Sequence, residues 1–154
     1  MNAAPATHSP HPARSPAAID FVPSGRDHSA MLAAFRSSGG IARGDDLGRL
    51  LDDLHRGDFI SLARLIASGS VFGFVWRESF WIPMFQFELR DLSVKPNGQA
   101  VLAELGSAYA GWSLASWFAE PNDWLHGRAP VDLLNTDLPA VLGAARADRY
   151  IVNG

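Results

Sequence analysis

The sequence predicts a mainly α-helical domain of the α+β class with one aromatic β-hairpin. Three observations predict it. Apolar residues recur at helical spacing between about residues 31 and 66. The pattern becomes strand-like from 71 to 87, where Phe72, Phe74, Trp76, Phe80, Trp81, Phe85 and Phe87 crowd together. Helical spacing then returns at Gln99 and lasts to the end of the chain.

Length and composition bound the rest. A chain of 154 residues suits one domain, or one domain with a disordered end. Hydrophobic residues make up 47% and charged residues 19%, enough for a real core. The net charge of −3 gives no overall footprint for nucleic acid, so any DNA contact must come from a local patch. With no Cys there is no disulfide framework, thiolate metal site or cysteine nucleophile. No apolar run approaches the roughly 18 residues that cross a bilayer, and the N-terminus lacks a signal-like apolar region. The expectation is a cytoplasmic protein with no membrane partner.

Residues 1–25 read as a disordered tail rich in Ala, Pro and Ser. Its His8 and His11 have no neighbouring ligands and read as solvated. The folded part opens near Arg26, with Met31, Leu32 and Phe35 on one helical face and Gly39-Gly40 ending it. Leu47, Leu50, Leu51 and Leu54 make a second amphipathic helix with acids at its start. Asp58 is positioned to cap a third, running to Ser68. The hairpin is read as strands 71–76 and 80–87 around a turn at 77–79, with Pro83 implying an edge or a bulge. Gln99 to Tyr109 places Val101, Leu102, Leu105 and Tyr109 along one helical face. The last helix starts at Leu138, with Thr136 or Asp137 as its cap, and carries Arg146 and Arg149 near its C-terminal end.

Two units follow, residues 26–92 and 96–154. In the first, the helices at 45–54 and 58–67 have helix-turn-helix spacing, and the hairpin behind them would make the unit winged. Ser61, Arg64 and Ser68 would then be the exposed positions of a recognition helix, with operator DNA as partner. From Arg26 to Glu78 seven Arg face six Asp and one Glu, which leaves the module neutral and short of phosphate contacts. The alternative is a helical hairpin used for packing or dimerisation. Trp81, Phe85, Phe87, Trp112, Trp117, Phe118 and Trp124 read either as core or as an aromatic surface for a ligand or partner. No HExxH, Walker loop, GxSxG or GxGxxG occurs, so neither an enzyme nor a cofactor or metal site is expected. Glu120, Asp123 and His126 are three apart but read as caps and solvated groups.

The densest punctuation lies at 111–134, GWSLASWFAEPNDWLHGRAPVDLL. Its pattern W-x4-W-F-x2-P-N-x-W-L-x-G-R-x-P-V-D-L-L, followed by an Ala-rich helix, resembles the C-terminal toxin-binding domain of Xre/MbcA/ParS-type antitoxins. The matching residues are Trp117, Pro121, Asn122, Leu125, Gly127, Pro130, Asp132, Leu133 and Leu134, with Val141, Ala144 and Ala145 beyond them. The resemblance implies a small cytoplasmic antitoxin of a bacterial type II pair, often dimeric, that occludes an NAD-consuming RES-type toxin. Residues 1–70 carry no recognisable Xre domain, only the neutral helix pair. On this reading the matching residues are scaffold. Trp124, Arg128, Arg146, Arg149 and Tyr150 are the expected toxin contacts, and Ile151 to Gly154 would reach into an anionic or nucleotide-lined cleft.

Overall fold

The computed structural model describes residues 23–54 and 61–154. His8, His11, the Asp58 cap and most of the expected tail lie outside those residues. Ser24 and Gly25 do not belong to a tail. The Ser24 hydroxyl accepts from the Asp27 amide, and the Asp27 carboxylate accepts from the Ser24 amide at 2.8 Å. This reciprocal capping box opens helix α1, Gly25–Phe35, which buries His28, Met31 and Phe35. A 3₁₀ turn, Arg36–Ser38, and Gly39 at φ 111° then end it.

Strand β1, Ile41–Arg43, was not expected, because three residues between a Gly pair and an Asp pair show no alternation. Helices α2, Gly44–Leu54, and α3, Leu62–Ala67, follow. Only Leu47 and Leu51 of the α2 stripe are buried; Leu50 and Leu54 face out among the described residues. Strands β2, Phe74–Trp76, and β3, Ser79–Pro83, complete an antiparallel sheet in the order β1-β3-β2. Helix, strand, two helices and a hairpin follow in this order. The connection between α2 and α3 lies outside the described residues.

The hairpin is shorter than expected. Its turn is Arg77-Glu78, both at positive φ (46° and 63°), the geometry that suits right-twisted strands. A residue with a Cβ in that region costs on the order of 1 kcal/mol. The Arg77 guanidinium lies 4.5 Å from the centre of the Trp76 ring. Pro83 is on the central strand rather than an edge, paired with Ile41. It is tolerated there because it is the last residue of β3 and β2 has already ended. Residues 84–86 leave the strand as a 3₁₀ turn, and the buried Gln86 side chain takes over the ladder. Its Oε1 accepts from the Phe72 amide at 2.8 Å, and its Nε2 donates to the carbonyls of Phe72 and Pro83 at 2.9 Å. Beside it, a Cβ on Gly73 would fall 2.5 Å from Phe80 and 2.6 Å from the Trp81 carbonyl, so only glycine fits.

The second half is helical. Helix α4, Pro96–Leu105, stops at Gly106 (φ 59°), short of the expected Tyr109. Helix α5, Gly111–Ala119, leads into a 3₁₀ turn, Asp123–Leu125; then come α6, Pro130–Leu133, and α7, Leu138–Asn153. Asp137, not Thr136, caps α7, and α4 packs along it. One hydrophobic cluster joins Met31, Phe35, Phe72, Phe74 and Phe85 to Val101, Trp117, Phe118, Val131 and Val141. Packing is therefore continuous between the units 26–92 and 96–154. Phe118 is the hinge of this union, 5.6 Å from Phe72 and 4.7 Å from Phe85, ring centre to ring centre. A second cluster under the sheet holds Leu47, Leu51, Val71, Ile82, Met84, Phe87 and Leu92.

Gln86→Leu keeps the volume but orphans three buried backbone groups. It is expected to lower unfolding free energy by roughly 3 kcal/mol in a denaturant titration. Gln99→Leu, at an exposed position, should stay within about 0.5 kcal/mol of the parent.

Candidate functional site: an acid-clamped corner beside a groove

The corner that follows α5 is built on Asn122. Glu120 at the end of α5 is extended, and Pro121 carries the chain away from the helix axis. The buried Asn122 side chain then caps the turn, its Oδ1 accepting from the Trp124 amide at 2.9 Å. The Asn122 carbonyl accepts from both Leu125 and Gly127, and its amide donates to the Arg128 carbonyl at 3.0 Å. His126 (φ 56°) and Gly127 (φ 79°) make the left-handed bend that closes this small loop. Pro130 at the first position of α6 relaunches the chain, with Asp132 in its first turn.

A carboxylate from α7 clamps the corner. Asp148 Oδ2 accepts from Trp117 Nε1 at 2.8 Å and from Asn122 Nδ2 at 3.0 Å, and its Oδ1 accepts from Trp124 Nε1 at 2.9 Å. Sequence reasoning missed Asp148. It stands 26 residues from Asn122, and a lone Asp in an Ala-rich helix reads as solvated.

The residues of the pattern differ in burial. Trp117, Asn122, Leu125, Pro130 and Leu134 are buried, and Leu133 is half-buried. Pro121, Gly127 and Asp132 are exposed. The expected contact residues do not share one face. Trp124 is 56% exposed, its ring tethered by the Asp148 bond. Arg128 is exposed on the same loop. Arg146 and Arg149 turn instead to α4, where Glu104 meets them at 3.0 and 3.9 Å. They also sit before the last turn of α7, which holds no basic residue. Tyr150 is 77% exposed but follows Asp148 by two helical positions, so it leaves α7 on the far side from the corner. Ile151 to Asn153 belong to α7 and do not form an extended reach.

Beside the corner runs an open groove of about 1000 Å³. Helices α1 and α5 line it through Met31, Ala34, Trp112 and Trp117, and so do Trp124 and Ile151. Tyr109 lines it too, its phenol pKa raised by burial and then by the Asp148 charge. Of the seven aromatic residues read as core or surface, Phe85, Phe87, Trp117 and Phe118 are core, Trp81 and Trp112 are half-buried, and Trp124 alone is exposed.

Two other candidates are weaker. His28 stacks on Trp76 at 3.6 Å, and its Nε2 and the Trp76 Nε1 have no hydrogen-bond partner among the described residues. Burial, then the Arg77 charge, hold this imidazole below the usual histidine pKa, which suits a neutral aromatic filler. The recognition-helix residues are mostly engaged in the ends of α3. The Ser61 hydroxyl caps it by accepting from the Arg64 amide, and the Ser68 hydroxyl donates to the Leu65 carbonyl. Arg64 is exposed. No group of three or more metal-ligating side chains occurs among the described residues, and no described helix is long and apolar enough to cross a membrane.

Asp148→Ala removes three charge-assisted bonds and is expected to lower stability by roughly 3 kcal/mol. Tryptophan emission, followed alongside a chemical melt, should report a freed Trp124 in the native state. Trp124→Phe loses a single exposed bond and should fall by no more than about 1 kcal/mol.

Comparison with protein-family models, with curated proteins and with solved structures finds no match.

Proposed function

We propose that this chain is an antitoxin-like binding protein. It neutralises a RES-type, NAD-consuming toxin by occluding that toxin's active site, as a cytoplasmic protein with no cofactor and no catalytic role of its own. The observation that carries this reading is the corner. The residues of the antitoxin-like pattern are those that make the tight loop, and the loop holds one large aromatic ring outward. Trp is the side chain most favoured at interface hot spots, and a ring already fixed by a hydrogen bond loses less freedom on docking. The spread of the five expected contacts narrows the docking face to Trp124, Arg128 and Ile151, with Arg146 and Arg149 bracing α7 against α4.

Co-expression with a RES-type toxin tests the reading. Growth should be rescued and a complex should co-purify, and Trp124→Ala should weaken both by at least about tenfold. Loss of rescue and of complex with the parent chain would refute it.

A second reading, a DNA-binding regulator acting through residues 45–87, draws on the order of helices and strands in the first unit. Charge opposes it. Helix α2 exposes Asp45, Asp46, Asp52 and Asp53 against one Arg49, itself paired with Asp46 at 2.7 Å. A gel shift on its own promoter at low salt decides the matter: the expected result is no retarded band, and a band weakened by Arg64→Ala would restore the operator role.

A further inference from the structure

The groove beside the corner has an apolar floor and an acidic rim. Asp27, Glu120, Asp123 and Asp148 all line it, and no Lys or Arg is among the described lining residues. None of these four acids forms an ion pair with a described residue. Asp27 accepts from the Ser24 amide and hydroxyl, and Asp148 from two indoles and an amide. These donors are neutral, and among the described residues the one basic residue acting on these acids is Arg26, beside Asp27. Glu120 and Asp123 are exposed at its mouth. Between the acids lie Met31, Ala34, Trp112, Trp124 and Ile151.

We infer that this groove receives a basic, apolar segment of a partner protein, a helix or strand in which Lys or Arg alternates with large aliphatic side chains. The sign of the charge decides the occupant. An acidic rim with low-dielectric walls concentrates cations and repels the anionic or nucleotide-like surface expected from the arginines of α7. The small side chain of Ala34 leaves depth for the aliphatic part, and the tethered Trp124 ring forms a wall that docking need not reorder. This inference rests on the antitoxin-like reading for the identity of the partner, and it specifies which of that partner's surfaces is engaged.

Intrinsic tryptophan emission of the full chain provides the readout, since Trp112, Trp117 and Trp124 all border the groove. The probe is a synthetic amphipathic helix with Leu on one face and Lys on the other, set against the same peptide with Glu for Lys. The Lys peptide should bind more tightly by about tenfold, with an affinity that falls as salt rises. The double variant Glu120→Lys/Asp123→Lys, at two exposed positions, should invert the preference. Ala34→Trp should fill the groove and abolish binding of both peptides. Equal binding of the two peptides, or a preference unmoved by the double variant, would overturn the inference. So would sedimentation of the parent chain as a dimer that Ala34→Trp converts to monomer, because a second copy would then be the occupant. Toxin rescue separates the two claims. Full rescue by the double variant sinks the groove and leaves the antitoxin reading intact, whereas an inverted peptide preference without any rescue by the parent sinks the antitoxin reading alone.

Discussion

One carboxylate fixes the geometry of the second half of the chain. Asp148 gathers two indole N–H groups and a carboxamide that come from the end of α5, from the loop after it and from the 3₁₀ turn. Each of these pieces is too short to hold itself. The 3₁₀ turn has three residues and α5 has nine, both below the length at which a helix is stable alone in water. Their conformation is borrowed from the longest helix, α7, through a charged acceptor that tolerates several donors at once. What the loop presents outward, above all the Trp124 ring, therefore has an orientation set by α7.

The first half relies on a different substitution. Where β2 stops, the Gln86 side chain supplies the donor and acceptor that a further strand residue would have offered. This lets the chain turn from sheet into 3₁₀ without burying an unpaired amide. It also frees Phe72 and Phe85 to leave the strand geometry and meet Phe118. The aromatic stack joins the hairpin to α5, so the sheet forms part of the platform on which the corner stands. Groove, corner and hairpin share one hydrophobic cluster.

Features encoded within a few residues were legible in the sequence. The helices were marked by spacing, the hairpin by its aromatic run, and the corner by Pro121, Gly127 and Pro130, whose backbone demands are intrinsic. Asn122 was marked as one residue of the antitoxin-like pattern. Features that depend on distant partners were not legible. Asp148 gives no local sign that three donors converge on it. Gln86 sits in an aromatic run and looks like the polar side of a strand. Strand β1 is too short to show a period, and its pairing with β3 spans the whole helix pair. Sequence spacing places Arg146, Arg149 and Tyr150 near one another, and Glu104, far away in the chain, decides which way two of them turn.

The clamp also imposes an order in time. Asn122 and Trp124 leave the ribosome 26 and 24 residues ahead of the Asp148 that secures them. At about 5–20 residues per second, that interval is roughly one to five seconds. During it the loop lacks its Asp148 anchor. The corner thus reaches its final geometry late in translation, after the hairpin and α5 are already available to fold. The orientation of the Trp124 ring is set only when α7 arrives.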